Sequence, residues 1–107
     1  MISISDKDNT LTVVNIFFVN QEQQEGLINF LKENQDIPIK QPGFISASVH
    51  KSLDGKRLIN YIQWENQEAL ELASKDPEFT NMTKEAAKIA ELDFNTYEVV
   101  FTKQSFD

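Results

Sequence analysis

Leu11 to Val19 reads Leu-Thr-Val-Val-Asn-Ile-Phe-Phe-Val, a β-branched and aromatic run that is apolar at odd and even positions alike and too short for a typical helix. That pattern predicts a central strand. Asn20 follows as an N-cap with Gln23 three residues on, and Leu27, Ile28 and Leu31 supply the apolar stripe of a helix ending near Asn34, before Pro38 and Pro42. Phe44–Lys51 and Lys56–Glu65 are two more strand-like runs around Ser52-Leu53-Asp54-Gly55, whose Asp-Gly pair signals a hairpin. Asn66 caps a short helix through Ala73, and Asp76-Pro77 opens a second helix in which Phe79, Met82, Ala86 and Ala90 recur at helical spacing to about Glu91. Finally, Tyr97, Val99 and Phe101 alternate with Thr96, Glu98 and Thr102, so 93–103 is expected to be a half-exposed edge strand.

The order β-α-β-β-α-β is the split βαβ arrangement, an α+β ferredoxin-like fold with one four-stranded antiparallel sheet and helices on one face. Residues 1–9 read as a polar leader and residues 10–107 as a single domain. With Leu53-Asp54-Gly55 as a three-residue loop, Ser52 pairs with Lys56, Ser48 with Asn60, and Phe44 with Trp64. Phe44, Ser46, Ser48, His50, Leu58, Asn60, Ile62 and Trp64 then share a face that mixes polar with apolar groups. The opposite face would carry Ile45, Ala47, Val49, Ile59 and Tyr61. Helices of one chain cover one face only, so an apolar second face predicts a sheet-to-sheet homodimer.

Composition narrows the function. Of 107 residues, ten are Lys or Arg and seventeen Asp or Glu; the net charge of −7 argues against a nucleic-acid partner, which needs a cationic surface. Zero cysteines exclude disulfides, thiolate metal sites and Cys nucleophiles. No run reaches the length of a membrane span, and the N-terminus has no signal-peptide core, which favours a cytoplasmic location without a membrane partner. Only Gly26, Gly43 and Gly55 are present, so no phosphate-binding glycine loop exists; no His or carboxylate cluster has metal-ligand spacing, and neither metal nor other cofactor is expected.

Candidate chemistry sits on the mixed face. An amide at Asn60 and an indole at Trp64 can hydrogen-bond a carbonyl or phenolate and stack on an aromatic ring. From periodicity alone, the structural reading is preferred: Trp64 as a core anchor, Asn60 bonded to backbone at a bulge. Asn15, mid-strand in an apolar run, stands equally as a second pocket amide or as a bond to a neighbouring element. His50, the single histidine, is a candidate general base by residue type, although a lone histidine beside a turn is commonly just solvated. Phe44, Ser48 and Ile62 complete the candidate binding set.

Pro42-Gly43-Phe44-Ile45-Ser46-Ala47-Ser48-Val49-His50-Lys51-Ser52-Leu53-Asp54-Gly55, followed by Asn60-Tyr61-Ile62-Gln63-Trp64, resembles the antibiotic biosynthesis monooxygenase family, with Val14-Asn15-Ile16-Phe17 extending the match. The resemblance implies ferredoxin-like subunits paired as a dimeric α+β barrel. It also implies a cofactor-independent monooxygenase that oxidises an anthrone, phenol or quinol with O₂, with Asn60 and Trp64 in catalytic positions and Asn15 as the first-strand amide. Some members degrade haem with a histidine in the helical region after the Trp; 65–91 has none here, which disfavours that activity. The relay Tyr and the Arg of anthrone-oxidising members are also missing, since Leu70, Leu72 and Lys84 stand in those regions. A ligand-binding or stress protein of the same fold without turnover is the alternative.

Overall fold

A computed structural model describes residues 4, 5, 7 and 9–105. The elements run β1 (Leu11–Phe18), α1 (Gln21–Glu33), a single turn α2 (Asp36–Ile39), β2 (Phe44–Lys51), β3 (Arg57–Trp64), α3 (Gln67–Ala73), α4 (Pro77–Ile89) and β4 (Glu91–Glu98). All pairings are antiparallel in the order β2-β3-β1-β4, the ferredoxin-like arrangement, with the apolar run of β1 in the interior of the sheet. No helix among the described residues is long and apolar enough to cross a membrane.

The helix starts follow the capping chemistry. Asn20 accepts from the Gln23 amide at 2.8 Å while Gln23 returns the bond to the Asn20 amide at 2.9 Å, a complete capping box. Asn66 accepts from Ala69 and Asp76 from Phe79, at 2.9 and 3.0 Å. Just ahead of β2, Gly43 has φ +84° and packs so closely on α3 that a Cβ there would overlap the Ala69 methyl. Its carbonyl accepts from the Glu65 amide at 2.8 Å, which ties the start of β2 to the end of β3.

The hairpin register departs from expectation. Asp54 accepts from the Ser52 hydroxyl at 2.7 Å and the Lys56 amide at 3.0 Å, which draws Lys56 into the loop and makes Ser52 pair with Arg57. Those two bonds, the Ser52 hydroxyl first, hold the exposed Asp54 carboxyl below its usual value. Gly55 takes the expected positive φ, +76°. The extra loop residue shifts the ladder by one, so Val49 lies opposite Asn60 and Ser48 opposite Tyr61. A bulge at Ile45 absorbs the shift and restores Phe44 opposite Trp64. Because side chains alternate with period two, the correction moves Ala47 and Val49 to the helix face and Ser46, Ser48 and His50 to the outer face beside Ile59 and Tyr61.

β4 also differs, starting at Glu91 and ending at Glu98 instead of running from Asp93 to Lys103. Its single neighbour is β1, whose first residue, Leu11, sits opposite Glu98. The Thr10 amide is turned to the Lys7 carbonyl at 3.1 Å, and among the described residues the β1–β4 ladder ends at the Leu11–Glu98 pair. Val100 and Phe101 are exposed.

Gln63 faces outward yet is 0% exposed. Its amide accepts from the Ser5 amide at 2.8 Å and donates to the Ser5 carbonyl at 3.1 Å and the Thr12 hydroxyl at 3.2 Å, so a leader residue packs on the outer face.

Candidate active site

The core on the helix face is divided. Val13, Ile62, Trp64, Ala69, Ala73 and Phe79 form one cluster; Phe17, Leu27, Leu58, Ala86 and Ala90 form another. Sequence alternation explains the division. The inward residues of β1 run Val13-Asn15-Phe17 and those of β3 run Leu58-Asn60-Ile62, so each strand places an amide between two apolar anchors. Asn15 and Asn60 are direct cross-strand partners, and the row Val49-Asn60-Asn15-Phe94 crosses all four strands. Over this row lies a cavity of about 1020 Å³ between the sheet and helices α1 and α4.

Within the cavity both amide oxygens and the indole N–H lack partners among the described residues: Oδ1 of Asn15, Oδ1 of Asn60 and Nε1 of Trp64 are buried there without a hydrogen bond. An unmade bond at a buried polar atom costs about 1–3 kcal/mol, and folded proteins keep few of them. Three converging on one cavity point to a ligand that supplies the missing partners.

Trp64 is fully buried, held edge-on between Phe44 and Phe79 with ring centroids 5.6 and 5.9 Å away and interplanar angles of 87° and 81°. Four residues of strand separate it from Asn60, about 13 Å between Cα atoms at roughly 3.3 Å per residue, a span suited to a fused-ring ligand. The floor thus offers amide groups in the middle and an indole donor at one end, with apolar walls between.

The structure brings Asn15, Asn60, Trp64, Phe44 and Ile62 to this cavity. It does not bring Ser48 or His50 there. Both lie on the outer face because of the register shift, and Ser48 Oγ sits 2.9 Å from His50 Nε2. Both tyrosines are also outside it, Tyr61 and Tyr97 bordering an outer-face depression with Thr12 and Val14. Several lining residues escaped sequence reasoning, among them Met82, Thr83, Lys84 and Phe94. Met82 belongs to the helical stripe read as core; it packs against the Trp64 cluster and also borders the cavity. Phe94 required the β1·β4 register.

Residues 10–85 match the family model described as antibiotic biosynthesis monooxygenase. A curated relative, the tetracenomycin-F1 monooxygenase of Streptomyces glaucescens, is 36% identical over 78 residues, covering 72% of this chain and 70% of the relative. Among solved structures, a variant of SnoaB, a cofactor-independent oxygenase from Streptomyces nogalater, superimposes with a TM-score of 0.79 at 18% identity, covering 88% of this chain and 96% of that one. The monooxygenase from the gene ActVA-Orf6 of Streptomyces coelicolor, solved with the ligand nanaomycin D, gives 0.71 at 23% identity, covering 90% and 93%.

Proposed function

This chain belongs to the antibiotic biosynthesis monooxygenase family, and from that premise we propose that it takes a planar phenol, anthrone or quinol into the cavity and oxidises it with O₂ without a metal or organic cofactor. The observation that carries the reading is the set of unpartnered atoms on Asn15, Asn60 and Trp64 around one apolar space. The curated relative at 36% identity is named for a monooxygenase activity, and the relative solved with nanaomycin D is a fold that accommodates a small molecule.

The chemistry asked of the protein is modest. An anthrone that loses the proton of its ring methylene becomes an electron-rich anion. That anion passes one electron to O₂, and the resulting radical and superoxide join as a carbon-bound peroxide. Protonation of the peroxide, then loss of the remaining C–H proton with O–O cleavage, leaves a carbonyl and water, so the balance is R₂CH₂ + O₂ → R₂C=O + H₂O. The amide N–H groups of Asn60 and Asn15, presented by rotation of the side-chain amide, and the Trp64 N–H donate to the anion's oxygens in a water-poor site. The cross-strand neighbours of the two amides are Val49 and Phe94, neither of which can take a proton, and the titratable side chains lining the cavity are Lys32, Lys51 and Lys84. In this reading the proton leaves by way of solvent.

The active unit in this reading is a homodimer, supported by Val14, Ile16, Ile59 and Tyr61, which the register gathers on the outer face. Asn60→Ala is expected to weaken binding of the anion by about 1.5–3 kcal/mol, the range for a hydrogen bond to a charged group. Trp64→Phe keeps the ring and removes the donor. If both variants fold normally and bind and oxidise every quinol and anthrone tested like the parent, the site is elsewhere. Tight binding without O₂ uptake by the parent makes this a ligand-binding protein instead.

A further inference from the structure

The hydroperoxide formed in the proposed reaction is an oxidant, and the cavity wall carries a group that it can oxidise. The chain has two methionines, Met1 and Met82, and no cysteine, so the Met82 thioether is the single sulfur among the described residues. Met82 lies on α4 one turn beyond Phe79, whose ring meets Trp64 edge-on at 5.9 Å. The half-buried side chain packs against the Trp64 cluster and borders the cavity from the helix side, with Asn15 and Asn60 on the sheet side.

The surroundings prolong the life of the peroxide. Its ordinary fate requires a base for the remaining C–H proton, and the cross-strand neighbours of the amides, Val49 and Phe94, take no proton. Elimination therefore waits on solvent in a water-poor space. A thioether needs no base, because its lone pair attacks the outer peroxide oxygen directly. Resting on the function proposed above, we propose that Met82 is a turnover-linked oxidation site that takes an oxygen atom from the substrate hydroperoxide. The balance is R₂CH–OOH + R′–S–CH₃ → R₂CH–OH + R′–S(=O)–CH₃. The O–O bond breaks as the S–O bond forms; sulfur gives up an electron pair, the peroxide is reduced, and its proton ends on the alcohol. A sulfoxide replaces a flexible apolar side chain with a polar one in the wall of an aromatic site. Each event lowers affinity for the ligand until a methionine sulfoxide reductase restores the thioether, which makes the oxygenation self-limiting.

The wild-type protein is allowed to turn over 1,8-dihydroxyanthrone under ¹⁸O₂ in unlabelled water, with catalase, superoxide dismutase and N-acetylmethionine at the protein's own concentration, and peptide mass spectrometry reads the label. Met82 should become the ¹⁸O-sulfoxide only when anthrone is present, and at least about tenfold faster than N-acetylmethionine, because a bound peroxide meets it at high effective concentration. Trp64 is the single tryptophan and lines the cavity, so quenching of its fluorescence by an anthraquinone reads binding. The oxidised protein should bind about fivefold more weakly, the lower end of what burying an uncompensated polar group costs, and the reductase should reverse the loss. Oxidation of the anthrone with Met82 unlabelled, or labelled no faster than N-acetylmethionine, overturns the proposal and leaves the proposed function standing. Labelled Met82 with unchanged anthraquinone binding overturns the self-limitation. Oxidation of the anthrone no faster than in buffer removes the oxygenase reading, and the role of Met82 with it.

Discussion

Replacing Asn15 and Asn60 by leucine should make the protein more stable while abolishing ligand binding. Each side chain keeps a buried amide oxygen without a partner, between apolar anchors on its own strand. Leucine is nearly the same shape and carries no polar atom to satisfy. The cost of a buried unmade bond is about 1–3 kcal/mol; water in so large a cavity repays part of it, which places each substitution at about 1 kcal/mol of gain. The two residues are cross-strand partners, so the double variant tests coupling as well as sum. Urea unfolding followed by Trp64 fluorescence at fixed protein concentration gives the midpoints, since any dimer makes stability depend on concentration. Higher midpoints at unchanged slope, with quinone quenching lost, are expected. A loss of about 1 kcal/mol or more in both single variants, the size of an ordinary destabilising substitution, would contradict this expectation, because it would mean that the amides hold the sheet together.

Ile59→Asp places a charge on the outer sheet face and should convert a dimer into single chains of 12.3 kDa or unfold it, as sedimentation velocity will register; a folded monomer already present in the wild type at micromolar concentration contradicts the dimer. Gly43→Ala combines an unfavourable positive φ with overlap on Ala69, so a loss of more than about 1 kcal/mol is expected, measured by the same urea titration. Haem should give no stoichiometric Soret complex that turns over with a reductant, because the single imidazole, His50, faces away from the cavity beside Ser48.

Much of the fold was legible because local chemistry decides it. Asn20 with Gln23, Asn66, and Asp76 with Pro77 each state where a helix begins, and the run from Leu11 to Val19 states which strand is interior. The failures arise where side-chain bonds or a neighbour decide. Asp54 takes the Lys56 amide and lengthens the loop by one residue, and a single residue exchanges the two faces of β2. That exchange moved Ser48 and His50 off the candidate site and Val49 onto it. β4 stops at Glu98 because β1 begins at Leu11, a limit absent from its own alternation. Asn60 and Trp64 lie on β3, whose alternation alone puts them on one face, and so their juxtaposition could be read without the hairpin register. The lysines around the cavity come from three separate elements, and only the assembled fold brings them together.

The central claim is that this cavity oxygenates an aromatic substrate using the protein's own residues, and the most direct measurement is turnover of 1,8-dihydroxyanthrone under ¹⁸O₂ by protein treated with a strong chelator. The account predicts one ¹⁸O in the new ring carbonyl, a rate well above autoxidation in buffer, and a large drop in that excess in Asn60→Ala. A rate equal to buffer across an anthrone and quinol panel, or activity that disappears with chelation and returns with metal, would contradict it.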